Sequence, residues 1–220
     1  DIYTRYGDNK KAISYLKDVL LNAESTQKTN RDSNATVSTA INLSTAWAET
    51  GENDSAIYIL QRFGQYHTIS ERRKALLHAT LGLYLIKKAD TVSANIAANT
   101  AISIAKQSIN NKGISDALQV SYSLLGDMMA GKKKYDSALH NYRLAMYWLL
   151  NDNAEYRRRE TGKLLNSLGK VFEENKQSDS ALRFYHQALY SVADVDTGDI
   201  FSLPDEKNIY AENTIMESLD

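Results

Sequence analysis

The sequence predicts an all-α chain, an α-solenoid of antiparallel helix pairs, and three observations carry that expectation. The stretch KKYDSALHNYRLAMYWLL (Lys133–Leu150) is echoed as KQSDSALRFYHQALYSVA (Lys176–Ala193), with the same apolar skeleton and different residues between. A Leu-Gly pair precedes each copy at one fixed distance, Leu125-Gly126 before Ala138 and Leu168-Gly169 before Ala181. Proline occurs once, at Pro204, so 220 residues can run as long helices with few breaks.

The periodicity is helical. Tyr135, Ala138, Leu139, Tyr142, Ala145, Met146 and Leu149 fall on one face of a helix, as do Ala181, Leu182, Tyr185, Ala188, Leu189 and Val192. Small Ala at fixed places lets a neighbouring helix approach, and the aromatic fills the space beside it. Glycine inside a helix costs about 1 kcal/mol relative to Ala. Its recurrence at one register therefore implies close contact with a partner helix. The unit is helix, short turn, helix.

Taken in chain order, RYGDNKKAISYLKDVL supplies a second helix alone, with Gly7 in the turn and Ala12, Leu16 and Val19 inward. The polar run Ala23–Thr36 reads as a joint or loop. Leu43, Ser44 and Trp47 mark a first helix, Gly51 a turn, and Ala56, Leu60 and Phe63 its partner. Thr68 with Glu71, and Asp152 with Glu155, have capping-box spacing. Leu81-Gly82 opens a third unit whose second helix admits two registers; Ala101 is taken as its anchor. The anchors Ala12, Ala56, Ala101, Ala138 and Ala181 then lie 44, 45, 37 and 43 residues apart. Residues 1–193 form about 4.5 such units, 194–208 a linker, and 209–220 the start of a further helix beginning after Pro204. The chain reads as a piece of a longer protein.

This pattern resembles the tetratricopeptide repeat, most closely at Leu125, Gly126, Tyr135, Ala138, Tyr142 and Ala145, and at Leu168, Gly169, Phe172, Ala181, Tyr185 and Ala188. The resemblance implies a right-handed superhelix that binds a protein or peptide ligand, or another domain of the same chain, along its first helices. The groove candidates it implies are Asn42, Thr45, Ser123, Asp127, Asn166, Lys170 and Glu173. Asn42, Asn166 and Lys170 are expected to be solvent-accessible on one concave side. Ser202–Asp220 also resembles a segment of bacterial proteins in which such an array precedes a CHAT domain, a caspase-like protease. That likeness implies a regulatory arm, and any protease residues would lie beyond Asp220. A sensor region of a bacterial signalling protein is the remaining alternative.

Chemistry is sparse by comparison. No cysteine is present, which removes disulfides, thiolate zinc and a cysteine nucleophile and leaves the compartment open, a cytoplasmic one being favoured. His67, His78, His140 and His186 show no metal-ligand spacing. Phosphate loops, paired catalytic carboxylates and nucleophile elbows do not occur, so no catalytic, cofactor or metal site is expected. Charge is balanced, 26 basic against 27 acidic residues, which disfavours a nucleic-acid tracker. The longest apolar run, Leu76–Ile86, is too short to span a bilayer, which takes about 20 residues. Glu155–Glu160 (EYRRRE) and Lys132–Lys134 read as solvated charge, the latter in a turn.

Overall fold

The computed structural model describes residues 8–26, 30–65, 69–108, 113–151 and 158–191. Among these it is all-α, with nine helices: α1 (Asn9–Thr26), α2 (Asn30–Glu49), α3 (Asn53–Gly64), α4 (Glu71–Lys87), α5 (Thr91–Gln107), α6 (Ser115–Gly131), α7 (Tyr135–Leu150), α8 (Arg158–Glu174) and α9 (Ser178–Ser191). They group into two compact units that divide within α6, between Ser121 and Tyr122. The proposed linker 194–208, the segment 209–220 with its CHAT-like resemblance, His67, and Asp152 and Glu155 of one capping box all lie outside the described residues.

The pairs α2/α3, α4/α5, α6/α7 and α8/α9 share one three-residue joint. Its middle residue is left-handed: Gly51 at φ 86°, Ala89 at 60°, Lys133 at 56° and Lys176 at 59°. The next N–H reaches back five residues, as in Glu52 N to Trp47 O at 2.8 Å, Asp90 N to Leu85 O at 3.0 Å, Lys134 N to Met129 O at 2.9 Å and Gln177 N to Phe172 O at 2.8 Å. This is a Schellman closure, which satisfies helix-end carbonyls with main-chain donors alone. Only one of the four joints uses glycine, although left-handed backbone costs an L-residue about 1–2 kcal/mol. Lys133→Gly is therefore expected to stabilise the chain by about 0.5–1 kcal/mol, since Lys133 is exposed. A lowered urea midpoint would refute the strain.

The joints also set the register. Five residues after each left-handed position stands a buried Ala whose N–H bonds to the residue preceding its helix: Ala56 to Glu52, Ala94 to Asp90, Ala138 to Lys134 and Ala181 to Gln177, with Ala12 to Asp8 in α1. The third anchor is thus Ala94. The expectation of Ala101 is corrected by one helical period of seven: Ala101 matches Ala145 and Ala188, the second alanine of the stripe. The corrected anchors lie 44, 38, 44 and 43 residues apart. Twelve residues before the last four stand Ser44, Gly82, Gly126 and Gly169, all buried.

Apolar residues fill each unit. In the first, Leu16, Val37, Leu43, Trp47, Leu60, Phe63, Leu77 and Tyr84 form one cluster. In the second, Tyr142, Leu149, Leu164, Leu168, Val171, Ala181 and Ala188 are buried. Leu182 departs from expectation. It is 54% exposed, whereas its counterpart Leu139 is 9% exposed.

Two local readings change. The polar run Ala23–Thr36 is largely helical, ending α1 and opening α2. Its polar residues serve packing: Ser33 and Thr36 are buried, and Asn34 Oδ1 accepts from Ser70 N at 2.8 Å. The N-cap of α4 is Ser70, whose side chain accepts from Arg73 N, so the cap falls two residues after Thr68, itself outside the described residues.

Candidate functional site

The small residue on the first helix of a pair decides what the second helix can place against it. A Cβ added at Gly126 would lie 2.5 Å from Tyr142 Cε1, and one at Gly169 would lie 2.6 Å from Tyr185 Cε1. Both are closer than carbon atoms approach. Glycine therefore lets each ring lie directly on the helix, four residues past the anchor Ala. From there the hydroxyls reach across. Tyr142 Oη donates to Asp127 Oδ1 at 2.6 Å, and Tyr185 Oη donates to Glu173 Oε2 at 2.6 Å.

These are short, charge-assisted bonds. Burial, reinforced by Asp127, raises the Tyr142 hydroxyl pKa far above its ordinary value of 10. Burial and then Glu173 do the same for Tyr185. Asp127 is itself raised by burial, while the Tyr142 hydrogen bond and the Lys170 charge oppose the rise. Asp127 nevertheless keeps exposed surface as a residue, with Oδ1 held by Tyr142.

A pH dependence follows. A raised folded-state tyrosine pKa means that stability is fully present below the unfolded value near 10 and is lost as pH rises towards the folded value. Stability is expected to fall above about pH 10, and to fall less steeply in Tyr142→Phe. Urea midpoints at pH 8 and above pH 10 check this; parallel slopes for both proteins would contradict it.

The sequence-derived candidates separate into two groups. Ser123, Asp127, Asn166, Lys170 and Glu173 lie in the second unit, on α6 and α8; Ser123 matches Asn166 and Asp127 matches Lys170 in steps from Gly126 and Gly169, while Glu173 has Ala130 as its counterpart. Asp127, Lys170 and Glu173 are exposed and Ser123 is half-buried. Asn166, expected to be accessible, is 7% exposed. Its place three residues before Gly169 faces the helix packing, so its amide is a buried polar group engaged within the protein. Asn42 and Thr45 belong to the first unit. Asn42 is exposed but one residue out of the register, where the matching residue is buried Ile41. Thr45 Oγ1 donates to Ile41 O at 3.1 Å and accepts from Tyr84 Oη at 3.2 Å, which leaves its hydroxyl no free proton. The tyrosine hydroxyls were missed because the rings read as core. The available signal was their pairing with Gly and an acid in the same unit.

Elsewhere, His78 is half-buried and its pKa is lowered by burial and by Lys74; His140 is exposed and His186 half-buried. Lys132–Lys134 forms the α6/α7 joint, and Arg159 is exposed while Arg157 lies outside the described residues. Among the described residues no group of His, Asp or Glu could hold a metal ion, and no helix is long and apolar enough to cross a membrane.

The class these features define is a tetratricopeptide-like array of helix pairs. Solved structures share that fold. BtubC from P. vanneervenii matches with a TM-score of 0.68 at 13% identity, over 96% of this chain and 81% of that one. A Podosopora anserina protein of nearly identical TPR-like repeats, described as a kinesin light chain, matches with a TM-score of 0.58 at 13% identity, over 86% and 89%. MamA matches with a TM-score of 0.50 at 20% identity, over 87% and 92%. No protein-family model and no curated protein matches the sequence.

Proposed function

We propose that this chain is a protein-interaction scaffold, and that the α6–α8 face of its second unit takes an extended or helical peptide bearing a basic side chain. The peptide belongs either to another protein or to another part of the same one. The observation that carries this is the pair of carboxylates held by tyrosine. Asp127 and Glu173 are each fixed on one oxygen, which leaves the other for an ammonium, a guanidinium or a peptide N–H. Holding them beforehand reduces the side-chain entropy lost on binding. Lys170, whose charge is felt at Asp127, offers a partner for a peptide carbonyl or carboxylate. The tetratricopeptide resemblance supports the same face, since first helices line the groove in that family.

An array of tethered peptides differing in the number and placement of Lys and Arg tests the reading. Asp127→Asn with Glu173→Gln keeps an acceptor for each tyrosine and removes the charge. Binding of basic peptides is expected to weaken about threefold to tenfold per position, the equivalent of about 0.5–1.5 kcal/mol, with an unchanged melt. Equal binding by the double variant, or a preference for acidic peptides, would overturn it.

A further inference from the structure

On the outer faces of the second helices α5 differs from its counterparts. Two residues before the anchor, the units carry Lys10, Asp54, Asp136 and Asp179, all exposed; the third carries Val92. Two residues after the anchor stand Ser14, Tyr58, His140 and Arg183; the third carries Ile96. Val92 is 70% exposed and Ile96 61%. No charge occurs from Thr91 to Ala105. The exposed stripe is Val92, Asn95, Ile96, Asn99 and Ser103, bounded by exposed Asp90 and Lys106. Among the other exposed apolar side chains, Tyr58 lies between Asp54 and Arg62, Tyr147 lies four residues after Arg143, and Leu182 lies beside Asp179 and Arg183.

We infer that α5 is the contact through which a second copy of this chain docks, antiparallel and about a two-fold axis near residues 97 and 98. An isologous contact sets a surface against itself, so a stripe charged with one sign would repel its own copy; this one is neutral. The ends are complementary in that orientation. Asp90 of one copy meets Lys106 of the other, Val92 meets Ser103, and Ile96 meets Asn99. The helix dipoles are opposed as well. Asn95 and Asn99 are already ordered, with Asn99 Nδ2 donating to Asn95 O at 2.8 Å. From Asp90 to Lys106 the contact is about 24 Å long, and one helix pairing of that length buries well under the roughly 1,200 Å² typical of stable complexes. The dimer is therefore weak and concentration-dependent.

Sedimentation of the full chain from about 10 µM to about 1 mM tests this. The wild type is expected to shift from monomer to dimer, and Ile96→Asp to remain monomeric with unchanged helicity. Asn99→Lys and Asn99→Glu are each expected to lose the dimer alone and to regain it when mixed. A wild type that stays monomeric throughout, an Ile96→Asp variant that still associates, or a mixture that fails to recover would each overturn the proposal.

Discussion

Gly126→Ala is expected to destabilise the second unit by about 1–3 kcal/mol, although Ala is the better helix former by about 1 kcal/mol. The added Cβ falls 2.5 Å from the Tyr142 ring. That ring has little room to retreat, being 2% exposed and tied at its hydroxyl to Asp127. Relief requires either the ring to leave its rotamer or the helices to part. Gly169→Ala meets the same geometry against Tyr185 but should cost less, because Tyr185 is only half-buried and can swing outward. A urea midpoint that rises in Gly126→Ala would show that propensity outweighs the clash. The control is Tyr142→Ala: with the ring gone, Gly126→Ala should become neutral or stabilising.

Ala138→Leu is expected to lower the melting temperature by several degrees, through overpacking of about 1–3 kcal/mol. Ala138 has no exposed surface and sits one turn inside α7, where its own N–H closes the helix start. Three added carbons would push α7 off its partner. Ala181→Leu should act in the same direction and more weakly. Ala181 is 4% exposed, so its site has slightly more room for the larger side chain than that of fully enclosed Ala138. Equal or reversed costs would mean that the two anchors are not packed as equivalent positions.

The helix pairs were legible because apolar spacing and the Leu-Gly pair survive in almost every unit. The third unit was misread for a definite reason. Its second helix buries Ala94, Ala97, Ala98, Ala101 and Ala105 with Ile102, and alanines seven residues apart let two registers fit. The joint breaks the tie, and its left-handed residue is Ala89, which nothing in composition marks. At the site, Asn166 reads as a groove residue from the repeat's register; burial depends on what the neighbouring helix brings, which no single segment contains. The tyrosine–carboxylate bonds were hidden likewise, since each joins residues on two different helices.

The Schellman joints have one more consequence. Their hydrogen bonds run between main-chain groups, so any residue able to tolerate the middle position can be written there, as Gly51, Ala89, Lys133 and Lys176 show. Inside a pair the interval from small residue to anchor stays at twelve in all four cases, while the distance between successive anchors varies from 38 to 44. The gene therefore has one rigid spacing and one elastic spacing. Tandem duplication or loss of a whole pair would leave every internal interval intact, and length errors at the elastic junctions between pairs would be tolerated. Copy number can change by recombination without redesign of any single pair, after which each copy's outward residues are free to diverge.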